Sequence, residues 1–287
     1  MSFPPFAVEA LPARPKAALL IVHGLAEYAA RYQSIADEFA NRGIATFAFD
    51  QIGHGAQAKV RTHIASFDLF VDYASAACSK IIAAHPALPL FIWGHSMGTI
   101  VALQMIARAQ LPIAGLIVSS NSLEVFKQTL NPLNPLFRAA SRIAPRVRIP
   151  LGLDATKISH NEAVQRAYTN DPLISTTASL RLVVEFAKAC ELARSDAPNI
   201  HTPTLIVHGE RDEIAPATGS QLLFEQLGSS DKTLKIYPDL RHEVHNESTA
   251  DREKFVALLT QWMLKRAGDE PPSQPSPALA GEGVQSS

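Results

Sequence analysis

Leu90-Phe91-Ile92-Trp93-Gly94-His95-Ser96-Met97-Gly98 is the stretch on which the fold turns. Its first four residues are apolar without alternation, the mark of a short strand buried on both faces. Residues 99–109, past the turn, have good helical composition. A Gly-x-Ser-x-Gly pentapeptide therefore stands where a strand gives way to a helix, the setting that lifts its central serine above a sheet edge on a strained turn. Alone, the pentapeptide is an ordinary small-residue turn. Strand before and helix after make Ser96 a candidate nucleophile.

Five more short runs rich in Ala, Val, Ile and Leu lack the alternation of half-exposed strands: residues 18–22, 45–49, 116–119, 204–207 and 233–237. Helix-length segments lie between most of them, at 31–41, 67–84, 97–110, 218–227 and 251–266. Such alternation predicts an α/β fold, a mainly parallel sheet with helices on both faces. Residues 121–199 break the rhythm, with Pro-punctuated helical stretches at 131–141, 161–169 and 179–192 and no convincing strand. The expected layout is a core of residues 1–120 and 200–268, a helical cap inserted at 121–199, and a tail at 269–287 too poor in apolar residues to order itself.

A serine hydroxyl needs a base to take its proton and an acid to orient that base. The run 204–207 leads into His208-Gly209-Glu210-Arg211-Asp212, and 233–237 leads into Pro238-Asp239-Leu240-Arg241-His242. Both follow C-terminal ends of predicted parallel strands, the edge where ligands collect in open α/β sheets. The chain order serine, aspartate, histidine is the one such a fold uses. Asp212 is the candidate acid and His242 the candidate base. His245 is the rival base, three residues nearer the next helix. Glu210 and Glu213 read as solvated loop charges, Asp239 stands too close to His242 to hold its ring, and Asp50 reads as a brace for the loop at 51–55. Acyl transfer also places negative charge on a carbonyl oxygen, which backbone N–H groups stabilise. The N–H of Met97, at a helix N-terminus, is one candidate donor. The loop His23-Gly24-Leu25-Ala26-Glu27 after the first strand supplies the other, at Leu25.

Composition bounds the rest. In 287 residues, 47% hydrophobic and 18% charged, there is ample material for one large core. A formal net charge of -1 gives no reason to expect a nucleic-acid partner. Two cysteines, Cys78 and Cys190, do not make a disulfide framework, and a reducing compartment is the simpler expectation. The N-terminal apolar run reads as a core strand, with no secretion signal expected. No segment is apolar for the ~18 residues a spanning helix needs, so the expectation is a soluble, cytoplasmic protein that at most rests on a membrane surface. The ten histidines show no metal-ligand spacing, so neither metal nor organic cofactor is expected. In the cap, Leu123, Phe126, Leu130, Leu133, Leu136 and Phe137 offer an apolar side that either encloses an acyl chain or packs on the sheet. Arg138, Arg142, Arg146 and Arg148 form a basic run that is either a solvated face or a contact for anionic lipid headgroups.

Together, these residues resemble the monoacylglycerol lipase and lysophospholipase group of α/β-hydrolases, also described as serine aminopeptidase-like. The likeness runs from about residue 17 to 264. It rests on His23-Gly24-Leu25-Ala26-Glu27 with Arg31-Tyr32, Phe49-Asp50-Gln51-Ile52-Gly53-His54-Gly55, the serine pentapeptide, Asn170-Asp171-Pro172-Leu173, His208-Gly209-Glu210-Arg211-Asp212 with Pro216, and His242-Glu243-Val244-His245-Asn246-Glu247. The resemblance implies a triad of Ser96, Asp212 and His242, oxyanion amides at Leu25 and Met97, and a carboxylic ester substrate such as a monoacylglycerol or lysophospholipid. Thr99 stands where the group often has glycine, and Gln51-Ile52 where arginine is common, which weakens the inference to substrate. A short-chain ester, a thioester, an amide or a carbon–carbon bond is open to the same triad, and an inactive binding protein on this fold is the reading from another class.

Overall fold

The structure, a computed structural model, describes residues 5–108, 111–126 and 132–268. The chain begins β1 (Val8–Ala10), β2 (Ala17–Val22), α1 (Gln33–Ala40), β3 (Ile44–Ala48), α2 (Asp68–Ala84), β4 (Leu90–His95), α3 (Met97–Arg108) and β5 (Ile113–Ser119). It continues α4 (Pro135–Ile143), β6 (Arg148–Pro150), α5 (Ala155–Ile158), α6 (Glu162–Asn170), β7 (Thr177–Ser179) and α7 (Leu180–Asp196). It closes with β8 (Thr204–Gly209), α8 (Thr218–Gln226), β9 (Lys232–Tyr237) and α9 (Thr249–Arg266).

The main sheet has the order β1-β3-β2-β4-β5-β8-β9. Every neighbouring pair is parallel except β1 against β3. The apolar runs explain the layering, because side chains alternate between faces along a strand. Ala18, Leu20 and Val22 of β2 join the core beneath α2, α3 and α7. Ala17, Leu19 and Ile21 join the opposite core with α1 and α9. Both faces are covered, so each Leu or Ile of β2 contributes about 1.5–3 kcal/mol of burial.

The structure corrects the sequence-based expectation in two places. The three-residue β1, paired with Thr46–Ala48 positions of β3, is an edge strand too short to show a period. Residues 121–199 are not free of strands either: β6 and β7 pair antiparallel, Ile149 opposite Ala178, and Ser179 N donates to Thr62 O at 2.9 Å. Arg148 belongs to this hairpin's anchorage, donating to Thr62 Oγ1 at 2.6 Å and Arg61 O at 2.7 Å. The last helix of the segment, α7, is as much core as cap. Its Leu182, Phe186, Ala189 and Cys190 lie in the cluster beneath the sheet, and Gln104 Nε2 of α3 donates to Ala189 O at 2.8 Å. Cys78 and Cys190 are buried and not bonded to each other. The expected tail at 269–287 lies outside the described residues, as do Ala109, Gln110, Leu130 and Asn131.

Candidate active site

Ser96 sits at the junction of β4 and α3 with φ +51, left-handed for a residue with a side chain. Two bonds hold this turn: Ser96 N donates to Ser119 O of β5 at 3.0 Å, and Thr99 Oγ1 donates to Ser96 O at 2.6 Å. Gly98 allows it, because a Cβ there would run into Val22 O of the neighbouring strand. Thr99, which stands where the resemblance implied glycine, thus serves the turn itself. Ser96 Oγ lies 3.3 Å from Ser122 Oγ, and no hydrogen bond joins it to His242.

Asp212 and His242 meet in the loops after β8 and β9, where His242 Nδ1 lies 2.7 Å from Asp212 Oδ2. Four donors converge on that carboxylate. Ile214 N and Ala215 N reach Oδ1 at 2.8 and 2.9 Å, and His208 Nε2 reaches Oδ2 at 3.0 Å. His208 Nε2 also faces Ala215 O at 2.8 Å while Nδ1 faces Ser220 Oγ at 2.7 Å, which fixes Nε2 as the protonated nitrogen. Burial opposes ionisation of Asp212, but the charge of His242 and the bonds from His208 and His242 outweigh it and hold the carboxyl well below the usual range. Burial likewise opposes charge on His242, and Asp212 outweighs it, so the imidazole titrates above its ordinary value. The rival base, His245, is buried away from Asp212, stacked on Tyr32 and edge-on to Trp93. Burial, with neighbouring His95, drives its pKa well below the ordinary value. Glu210, Glu213 and Asp239 are exposed. Asp50 accepts from Ala29 N at 2.8 Å, so it braces the turn after β2.

The loop after β2 lies across Ser96. His23 Nε2 accepts from Gln51 N at 3.0 Å, and Gly24 N donates to Glu27 Oε1 at 2.6 Å. Among the described residues neither the Leu25 N–H nor the Met97 N–H is taken by another group. The Gly24 amide, by contrast, is occupied. Glu27 Oε2 also receives Arg31 at 2.7 Å, and Arg31 reaches Glu243 with two bonds of 2.7 and 2.8 Å. Sequence reasoning assigned no role to His208, Glu27, Arg31 or Glu243 beyond their place in quoted motifs.

Above Ser96 and His242 lies a cavity of about 60 Å³ walled by Leu25, Val125, Leu153, Ile158, Tyr168, Phe186 and Ile214. Of the cap residues that either enclose a chain or pack on the sheet, none lines it among the described residues. Leu123 is buried in the core and Leu136 faces solvent. Residues 158–160 are bolted to the loop after β9, beside His242. Buried Glu247 accepts from Arg241 N at 2.7 Å, His160 N at 2.8 Å and Ser159 Oγ at 3.2 Å. Glu243 N donates to Ile158 O at 2.8 Å. No cluster of His, Cys, Asp and Glu among the described residues is placed to hold a metal.

Known proteins share this arrangement of elements. The profile of a family described as Serine aminopeptidase, S33 matches residues 13–249. An uncharacterized abhydrolase domain-containing protein of Dictyostelium discoideum is 31% identical over 265 residues, 92% of this chain, and the chain spans 28% of that relative's length. A monoacylglycerol lipase of Mycolicibacterium smegmatis is 29% identical over 254 residues, 87% of this chain and 89% of the relative. The crystal structure of Paleococcus ferrophilus monoacylglycerol lipase superposes with a TM-score of 0.79 at 27% identity, covering 89% of this chain and 97% of that one.

Proposed function

Since the chain belongs to the Serine aminopeptidase, S33 family of α/β-hydrolases, we propose that it cleaves carboxylic esters through an acyl-enzyme on Ser96, with monoacylglycerols as the substrate class. The monoacylglycerol lipases of M. smegmatis and P. ferrophilus, matched along most of their length, support an ester over a peptide. One observation carries the chemistry: the 2.7 Å Asp212–His242 pair stands beside a left-handed Ser96 at the floor of one apolar cavity.

Asp212 keeps the proton on His242 Nδ1, which leaves Nε2 free to accept. Ser96 Oγ turns from Ser122 to Nε2, passes its proton there and attacks the ester carbonyl; such bonds commonly tighten only once substrate is bound. The carbonyl oxygen takes its negative charge against the N–H groups of Leu25 and Met97, each worth ~3–4 kcal/mol to the transition state in comparable sites. The imidazolium then protonates the departing alkoxide. A water, deprotonated by the same Nε2, attacks the acyl-enzyme and restores Ser96. A fluorophosphonate should label the wild type and not Ser96→Ala, and monoacylglycerol should be hydrolysed by the first alone. Absence of both labelling and turnover in the folded wild type refutes the reading.

No helix among the described residues is long and apolar enough to cross a membrane. Yet α4 and the residue run after it hold Leu136, Ile143 and Val147 at 74%, 85% and 50% exposure. Arg138, Arg142 and Arg146 are exposed beside them. Apolar side chains flanked by cations suit the surface of an anionic bilayer, so this face of the cap makes transient contact with lipid. Arg148 is excluded from that set by its bonds to Thr62 and Arg61. Sedimentation with phosphatidylglycerol vesicles should weaken in Leu136→Ser/Ile143→Ser and in the triple Arg→Gln variant at 138, 142 and 146. Equal binding by all three proteins refutes the contact.

A further inference from the structure

We propose that Glu27, Arg31 and Glu243 form a buried clasp that locks the loop bearing Leu25 to the loop bearing His242, and that its unbalanced negative charge strengthens His242 as a base. The proposal rests on the reading of Ser96 and His242 given above.

Arg31 sits between two carboxylates with 12% of its side chain exposed, against 5% for Glu27 and 4% for Glu243. The Glu243 pair is bidentate, the arrangement that gives arginine its directional hold. Glu27 accepts on both oxygens: Gly24 N–H at 2.6 Å and Tyr32 O–H at 3.0 Å on Oε1, and Arg31 on Oε2. An acceptor-only setting of that kind suits a carboxylate. The chain of contacts therefore runs Gly24–Glu27–Arg31–Glu243. One end holds the residue before Leu25, and the other is covalently next to His242. A buried ion pair is weak evidence for net stability, since desolvation cancels much of its attraction. Its use here is to fix two loops, 212 residues apart in the Arg31–Glu243 bond, at one separation.

Charge follows from the same atoms. Two carboxylates and one guanidinium leave one net negative charge beside an imidazole that becomes cationic during the reaction. His242 faces Asp212 from the loop after β8, His95 from β4 with ring centroids 5.0 Å apart, the clasp from the loops after β2 and β9, and His245 behind His95. Burial holds His95 neutral with a pKa of about 3, and His245 is neutral for the same reason. Neither competes. After Asp212, Glu243 and Glu27 are the groups that favour protonated His242. Tyr168 of α6 covers the guanidinium at 5.2 Å from the cap side, while Glu27, Arg31 and Glu243 line the cavity that holds Ser96 and His242.

The test is the pH dependence of fluorophosphonate labelling, which reads Ser96 and His242 without acyl specificity. Glu243→Gln keeps size and one acceptor while removing the charge. Its acid limb should move toward lower pH by about half a unit or more, with the plateau rate down about tenfold. Glu27→Gln should move the limb the same way, and reads the same charge if Glu243→Gln fails to fold. Arg31→Lys keeps the charge but loses the bidentate grip, so its limb should stay while the plateau falls. A folded Glu243→Gln or Glu27→Gln whose limb and plateau overlay the wild type overturns the clasp. A folded wild type that does not label at all overturns the Ser96 reading instead.

Discussion

Replacing Asp212 by asparagine removes one charge and alters no heavy-atom outline, yet the structure predicts near-total loss of activity. Ile214 N–H and Ala215 N–H point at Oδ1, and His208 and His242 point at Oδ2. The amide oxygen must stay with the two backbone donors, because the amide NH₂ cannot face them. The NH₂ then faces His208 Nε2 and His242 Nδ1. His208 keeps its Nε2 proton through Ala215 O, so one N–H opposes another there. His242 must accept at Nδ1, which moves its proton to Nε2, the position that has to take the proton of Ser96. A base in the wrong tautomer costs about 10⁴-fold in kcat, or about 5.5 kcal/mol of barrier at about 1.4 kcal/mol per tenfold. The unmatched His208 adds ~1–3 kcal/mol of lost stability. Monoacylglycerol turnover, measured beside a thermal melt that shows the variant folded, checks both figures. A folded Asp212→Asn protein with more than a tenth of wild-type kcat would refute the tautomer argument.

Other outcomes follow from the same geometry. Because His242 titrates above its ordinary value of 6.5, kcat/KM should fall as pH drops through a midpoint above 6.5, while Asp212, held well below its usual range, stays ionised throughout; a midpoint below 6.5 contradicts this. Gly209→Ala should lower Tm and cut kcat more than tenfold, since its Cβ would strike Leu240 O and Arg241 O and push the base's loop outward at ~1–3 kcal/mol; an unchanged melt and kcat contradict it. Phe186→Ala, which removes a ring stacked on Phe67 and edge-on to Phe126 at the cavity wall, should cost ~3–5 kcal/mol of stability and shift preference toward longer acyl chains, read from a melt and a chain-length series.

What could be read from sequence was what short-range chemistry dictates. Doubly buried strands announce themselves as unbroken apolar runs, and the serine turn lies within a single strand-turn-helix unit. The Asp212 and His242 positions could be proposed because parallel strands deliver their following loops to one edge. The bonds around them could not. His208 looked like the end of a strand, and its hold on Asp212 depends on a loop that curls back over four residues. The clasp needs the loop after β2 to meet the loop after β9, a contact no periodicity records. The cap misled for another reason. In β6 and β7, three-residue strands whose paired ends Arg148 and Ser179 lie 31 positions apart carry no period of their own, and apolar residues such as Leu136 fit a chain-binding wall and an exposed face equally well until their exposure is known.

The bolts between Glu247 and residues 159–160, with Tyr168 lying over Arg31, bear on how this protein can be recombined. A chimera that imports a foreign segment for the whole of 121–199 would strip Glu247 of two donors, bare the guanidinium and take α7 from the core. Junctions placed near residues 121 and 150 would instead exchange α4 and its exposed face while leaving every partner of the base's loop in its own chain. Lipid contact and catalytic geometry are then separately tradable parts of one gene.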